Sequence, residues 1–390
     1  APAHPRSFSL PTDLLGACSL LTACPPLRRT SYQPTLMHIA IDAHMVGERE
    51  TGNETYTLNL ARALLELTGR DPKGFSWDAA GPPNATQALS STKRDQQRRF
   101  GASPRLSLLT PHPDRLQAAL PELKDCLHAQ ILPIRPANAL LRIPFTMPLA
   151  ALRGSFDLLH VTYNAPPLCP CPTVVTIHDI SFERYPQFFS PRDRLILKTL
   201  VPWSARRAAR VITGSQHTKA EIIARYGLSP EKVVVTYHAA GPQFQPVTDQ
   251  AQLQAVRRKY GIGEGPYVLA LGNLQPRKNI ARLVEAVAAA SRHDISRRKV
   301  MSSLVIAGKA QWRESEIYRA VQAAGLTQQV IFPGYVEDAD LPALYSAALL
   351  FVYPSLYEGF GLPPLEAMAC GAPVICSNAA SLPEVVGAAA

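Results

Sequence analysis

Residues 355–375 read SLYEGFGLPPLEAMACGAPVI and follow directly on the apolar run LLFVYP of residues 349–354. A short aromatic and β-branched run reads as a strand, and two prolines ahead of LEAMA suit the first turn of a helix. Strand, tight loop and helix in succession are the repeating unit of a parallel sheet. The loop carries Glu358, and Glu366 lies just inside the helix. Two carboxylates therefore flank the backbone N–H groups of Gly359, Phe360, Gly361 and Leu362. Carboxylates accept hydrogen bonds from sugar and ribose hydroxyls, and glycine lets the backbone approach an anion closely. Taken singly, Glu366 has a plainer reading as a complement to the helix dipole and Glu358 as a solvated loop residue.

Upstream the same logic repeats as PYVLALGN, the helix NIARLVEAVAAA, SSLVIAG, the helix SEIYRAVQAAG, QVIFPG and the helix LPALYSAA, and downstream as PVICSN. Five strands and four helices alternate, so a doubly wound sheet is expected, with its ligand where the carboxyl ends of strands meet helix N-termini. The loop LGNLQPRKN, residues 271–279, places Gly272, Arg277 and Lys278 there. Two cations at a helix start oppose the helix dipole, so something negative should offset them. Asp338-Ala339-Asp340 has the form of a metal-binding DxD, but it stands directly before Leu341-Pro342 and a helix, and N-capping is the simpler reading.

Toward the N-terminus, HIAIDAHMV reads as a strand, ERETGNETY as a polar loop and TLNLARALLEL as a helix. FSWDAAG reads as a second strand, and residues 84–105 as a polar surface loop or insertion. Regularity returns with FDLLHVTYN, TVVTIHDI, a helix around DRLILKTLVPWSARRAA, RVITGS, a helix at TKAEIIARYG and KVVVTYHA. Residues 1–36 hold six prolines and no periodicity; they read as an extension outside the fold, and LLGACSLLTAC within them lacks the basic flank of a signal peptide. The punctuation between Gly241 and Pro266 marks a hinge, giving an N-terminal domain at 37–245, a linker at 246–265 and a C-terminal domain at 266–390.

With 390 residues and 46% hydrophobic content the chain can bury two cores. Its formal charge of +10 lies wholly before residue 263, because residues 263–390 hold 10 Lys+Arg against 11 Asp+Glu. Such a basic face suits a membrane surface bearing lipid-linked acceptors or a phosphate-bearing substrate, and a solvated surface without a partner is the plain alternative. No nucleic-acid-binding module is recognisable. Seven cysteines without zinc spacing read as free thiols of a reducing compartment, Cys169 and Cys171 among them. GxGxxG after the opening strands, GxxxxGK[ST], GxSxG and HExxH are all missing, which removes the dehydrogenase, P-loop, serine-hydrolase and zincin readings.

EGFGLPPLE is a Glu-x7-Glu pattern that resembles the signature of the retaining glycosyltransferases of family 4, and LGNLQPRKN is similar to that family's diphosphate-holding loop. The resemblance covers roughly residues 37–387. It implies a GT-B fold, two Rossmann-like parallel-sheet domains facing a cleft, and transfer of a hexosyl unit, with mannosyl the sugar the likeness suggests, from a nucleoside diphosphate sugar to a hydroxyl of a glycan or lipid-linked acceptor. Cell-surface polysaccharide or glycolipid synthesis follows from the same likeness; with the DxD read as a cap no metal or other cofactor is expected, and free thiols suit the cytoplasm, with peripheral membrane contact through the basic N-terminal domain. Arg277 and Lys278 would then neutralise the leaving diphosphate, Glu366 bind the ribose hydroxyls, Glu358 hold the donor sugar, and His178 face that sugar from the first domain. Gly52 and Asn53 would lie in the family's glycine loop. Ser215 and Thr218 read first as helix caps and second as acceptor contacts. By the same pattern a strand and helices should follow SLPEVVG, so the second sheet is expected to be short of its last strand. Two alternatives stay open: a nucleotide-sugar-binding protein without catalysis, and a sugar-nucleotide epimerase of the same architecture.

Overall fold

The computed structural model describes residues 37–47, 51–69, 104–293, 301–309 and 315–390, all within one compact unit formed by Met37–Ala80 and Ser103–Ala390. The expected extension at 1–36, the strand at FSWDAAG and nearly all of the insertion at 84–105 lie outside the described residues.

Seven strands form a first parallel sheet: β1 (His38–Asp42), β2 (Arg105–Thr110), β3 (Ala129–Pro133), β4 (Leu158–Thr162), β5 (Thr173–Thr176), β6 (Arg210–Thr213) and β7 (Val233–Val235). Their order is β3-β2-β1-β4-β5-β6-β7. Five more form a second: β8 (Tyr267–Leu271), β9 (Ser303–Ala307), β10 (Val330–Gly334), β11 (Leu350–Tyr353) and β12 (Val374–Cys376), in the order β10-β9-β8-β11-β12. Each order reverses once, between β1 and β4 and between β8 and β11, and such switch points open a crevice at the carboxyl ends of the strands. This is the GT-B architecture expected from the sequence.

The five strands read in the second half are all present because each is a short apolar run that is covered on both faces. Tyr267 and Leu269 of β8 point into one core with Val305, Phe351 and Leu344, while Val268 and Ala270 point into another with Leu304, Ile306 and Val284. Residues 246–265 carry the helix Gln250–Lys259, whose Val256 is buried in the first of these cores.

Three readings need correction. RLSLLT and AQILP are strands β2 and β3, unread in the sequence because they follow an unpatterned stretch and one of them sits at the sheet edge. A helix begins at Thr51, so Gly52 and Asn53 belong to its first turn and not to a loop. β5 stops at Thr176, which leaves His178 and Asp179 in the turn beyond it.

Phe351 is fully buried, with the rings of Tyr345 and Tyr353 at 5.3 and 6.0 Å, whereas Ile375 on edge strand β12 is 55% exposed. Phe351→Ala should cost about 3–5 kcal/mol in urea denaturation. Ile375→Ala should cost under about 1 kcal/mol, and equal losses would contradict the core placement.

Candidate functional site

At the second switch point the loops after β8 and β11 face each other. Pro276–Lys278 forms a single 3-10 turn and Asn279 takes a left-handed φ of 57° before the helix Ile280–His293 starts. Arg277 and Lys278 thus stand in the turn ahead of that helix, with Asn279 between Lys278 and its first residue. What offsets their charge is Glu358. Its Oε2 lies 3.0 Å from Arg277 and its Oε1 2.6 Å from Lys278, and Oε1 also accepts from the hydroxyls of Ser355 at 2.6 Å and Tyr353 at 2.9 Å. Lys278 also donates to the Tyr353 hydroxyl at 2.6 Å, and Arg277 to the carbonyl of Tyr357.

Glu358 is buried, the side chains of Arg277 and Lys278 are 14% and 13% exposed, and desolvation opposes each charge. For Glu358 the two cations outweigh it and hold the carboxyl far below its usual range. Arg277 is likewise held charged against burial by Glu358, while for Lys278 burial prevails and its pKa falls. Two cations share one directly bonded carboxylate, with Asp179 acting on both from farther off, so the triad itself carries a positive charge. Such a cluster favours an anion.

The loop between β11 and the helix Leu362–Ala369 is built for close approach. Pro363 and Pro364 open that helix as read, and Gly361 precedes it with φ 113°. A Cβ on Gly359 would lie 1.9 Å from the carbonyl oxygen of His178, and one on Gly272 would press on the Lys278 stem at 3.3 Å. Among the described residues, the N–H groups of Glu358, Gly359, Phe360 and Gly361 donate to no other group, whereas the carbonyls of the first three are held by hydroxyls. Free N–H groups in a row can bind hydroxyl oxygens or an anion.

Glu366 accepts from the Tyr345 hydroxyl at 3.0 Å. Burial pushes its carboxyl up to about 7, with Asp338 adding to the effect and the Tyr345 bond opposing it. Asp340 does not cap the helix Leu341–Ser346 with its side chain, as the sequence suggested. Its carboxylate goes to Lys259 at 2.5 Å and Tyr260 at 2.7 Å instead.

From the first sheet, His178 faces this loop. Its Nε2 is buried and meets no hydrogen-bond partner among the described residues. Burial, with His238 and His160 beside it, lowers its pKa to about 3, so the ring is neutral near pH 7. Rings of Tyr56, Tyr163 and His238 surround it at 4.7, 5.9 and 6.1 Å. Asp179 serves the turn by accepting from Ser181 N–H and hydroxyl at 2.8 and 2.7 Å. Ser215 caps its helix by accepting from Thr218 N–H at 3.1 Å, and both side chains also reach the Gly359 carbonyl. Gly52 and Asn53 are not brought to the triad by any contact in the structure; Asn53 contributes its carbonyl to the Thr57 hydroxyl within the helix. Tyr56, His238, Tyr353, Ser381 and Glu384 went unread, since an isolated hydroxyl, ring or acid carries no local signal of where it will point.

The family described as Glycosyltransferase Family 4 matches residues 51–243, and that described as Glycosyl transferases group 1 matches residues 254–390. The chain belongs to glycosyltransferase family 4. It is 37% identical over 215 residues to O-antigen chain mannosyltransferase B of Escherichia coli, covering 55% of each chain. Against the serotype-specific mannosyltransferase WbdA of Escherichia coli it is 39% identical over 184 residues, which are 46% of this chain and 22% of that one. It therefore spans about half the length, or less, of these curated relatives. Among solved structures, HepE of Anabaena in complex with UDP and glucose aligns with a TM-score of 0.58 at 18% identity, over 89% of this chain and 82% of that one. WaaG, a glycosyltransferase involved in lipopolysaccharide biosynthesis, aligns with a TM-score of 0.58 at 16% identity, over 90% and 84%. At such identity these two attest the family's GT-B fold.

The displaced Glu366 carboxyl gives a stability prediction. A folded-state pKa raised from 4.5 to about 7 contributes stability that is present below the unfolded value and lost as pH rises through about 7. Relative to Glu366→Gln, the wild type should lose stability between about pH 4.5 and 7, by at most on the order of 3 kcal/mol. Parallel melting curves across that range would refute the burial argument.

Proposed function

We propose that this chain transfers a hexosyl unit, mannose being the first candidate, from a nucleoside diphosphate sugar to a hydroxyl of a glycan or lipid-linked acceptor, with retention of anomeric configuration. The observation that carries the reading is the Arg277–Glu358–Lys278 triad beside the free N–H groups of residues 358–361. The mannosyltransferase relatives support the sugar and its use in surface polysaccharide, and the UDP complex of HepE supports a nucleoside diphosphate as the charged part of the donor.

In this reading Arg277 and Lys278 stabilise charge on the departing diphosphate, already fixed in place before the bond breaks. Glu366 accepts from ribose hydroxyls, a role that favours its ionised form. Glu358 and the loop N–H groups position the sugar, and neutral His178 offers an uncommitted ring nitrogen to a sugar hydroxyl from the opposite side. Glu358 is committed to two cations, which is consistent with same-face attack assisted by the leaving phosphate.

Calorimetric titration with GDP and with UDP tests the donor site. One nucleotide should bind, and Arg277→Ala with Lys278→Ala should weaken it about 100-fold; failure of both to bind the folded protein would sink the reading. Mannose transfer from GDP-mannose to octyl α-mannoside tests the reaction itself.

A lipid-linked acceptor also fits the surface of the first half. Leu140, Phe145 and Leu152 are 65%, 65% and 66% exposed on a continuous helical run, Ala139–Leu141, Arg142–Thr146 and Met147–Gly154. Residues 126–156 contain no Asp or Glu and include Arg135 and Arg153, both exposed. Apolar side chains flanked by cations fit an anionic leaflet. Phe145→Ser with Leu152→Ser should reduce co-sedimentation with phosphatidylglycerol-containing vesicles at least about 5-fold, and unchanged co-sedimentation would refute this contact.

A further inference from the structure

The donor loop is held by its carbonyls from two directions. Ser381 Oγ lies 2.9 Å from the carbonyl oxygen of Glu358 and 2.7 Å from that of Phe360. Between them, the Gly359 carbonyl accepts from Ser215 Oγ at 2.7 Å and Thr218 Oγ1 at 3.0 Å. Ser381 belongs to the second half and introduces the helix Leu382–Val386; Ser215 and Thr218 belong to the first half and open the helix Gln216–Tyr226. All three hydroxyl residues are buried.

Glu384 closes this arrangement into a ring. One oxygen of its carboxylate accepts from Gln216 N–H at 2.7 Å and the other from His217 N–H at 3.0 Å. These are the first N–H groups of the helix, without partners inside it, at the end where the helix dipole favours negative charge. On the far side of the same helix, Glu221 takes the Tyr357 hydroxyl from the donor loop. The path runs from the loop to Ser215 and Thr218, through the helix end to Glu384, and back through Ser381 to the loop.

We propose that Glu384 is a positioning residue whose carboxylate clasps the first half to the donor loop, so that residues 358–361 are set against His178 only while the clasp is made. This rests on the transferase reading above. The groups assigned to the nucleotide, Arg277, Lys278 and Glu366, all lie on the second half, whereas His178 lies on the first. Nucleotide binding therefore does not need the clasp, and sugar transfer does.

Three readouts on wild type and Glu384→Ala test the clasp: amide hydrogen exchange, GDP and UDP affinity by calorimetry, and mannose transfer from GDP-mannose to octyl α-mannoside. The Gln216 and His217 amides should exchange at least about 10-fold faster in the variant. Its kcat should fall about 10-fold or more while nucleotide Kd stays within about threefold, and Glu384→Asp should recover part of the loss. Ser215→Ala, which opens the ring from the other half, should slow transfer in the same way, and combining it with Glu384→Ala should cost less than the two losses together. It also serves as the test variant should Glu384→Ala fail to fold. Unchanged exchange at the two amides, or wild-type transfer by Glu384→Ala, would overturn the proposal, as would nucleotide affinity falling in step with transfer. If wild type binds neither nucleotide the transferase reading fails, and exchange alone still decides whether the clasp exists.

Discussion

The sharing of one buried carboxylate, Glu358, by Arg277 and Lys278 is the constraint on which the second half of the molecule is organised. A buried charge without a partner is costly, so the loop after β8 and the loop after β11 must meet, although their charged residues are 80 positions apart in the chain. Adjacent central strands at a switch point make that meeting possible. Gly272 leaves room for the lysine stem, and Ser355 and Tyr353 occupy remaining acceptor positions on the carboxylate. Leu356 N–H in turn holds the Arg277 carbonyl at 2.9 Å, so the two loops support each other's backbone as well as each other's charges.

The same network bears on how the proposed site would receive an anion. Desolvation of Arg277 is offset in the folded chain by Glu358 and the Tyr357 carbonyl, and that of Lys278 is opposed in part by Glu358 and Tyr353. Under the proposed reading a diphosphate would compete for cations whose orientation is already fixed, and such preorganisation is a main source of electrostatic stabilisation in enzymes. Removing Glu358 would therefore do two opposed things, freeing the cations for the ligand while leaving them largely buried and unpaired.

The sequence discloses the second half more fully than the first because its strands are unbroken apolar runs, as in YVLAL and SLVIA, each ending in a loop with glycine. β2 escaped because RLSLLT emerges from a polar stretch, and β3 because AQILP, on a sheet edge, is half-exposed and carries no clean period. The site was legible where its chemistry is local: glycine beside carboxylate at 358–361, prolines at 363 and 364. It was illegible where its chemistry is long-range. Arg277 and Lys278 called for a negative partner, but nothing in their neighbourhood says that the partner is Glu358. ERETGNETY looked like a loop because polarity and one glycine mask a helix whose apolar positions begin only at Tyr56 and Leu58. Ser381 and Glu384 sit in a segment that reads simply as another helix start, and only the folded chain shows them clasping loop and helix.

The two faces of the cleft also differ in charge. On the second half, fixed cations stand ready for an anion. On the first, burial lowers the pKa of His160 to about 4 and of His178 to about 3, and lowers that of His238 as well, so three clustered imidazoles remain neutral near pH 7. If His178 were charged it would draw the same anion toward the wrong wall and compete with Arg277 and Lys278. Kept neutral among Tyr56, Tyr163 and His238, it offers a hydrogen bond and an aromatic surface without a field, which suits an uncharged sugar. Burial of the histidines thus divides the cleft into a cationic wall and a neutral one, and under the transfer proposed above the diphosphate would meet the first and the sugar the second.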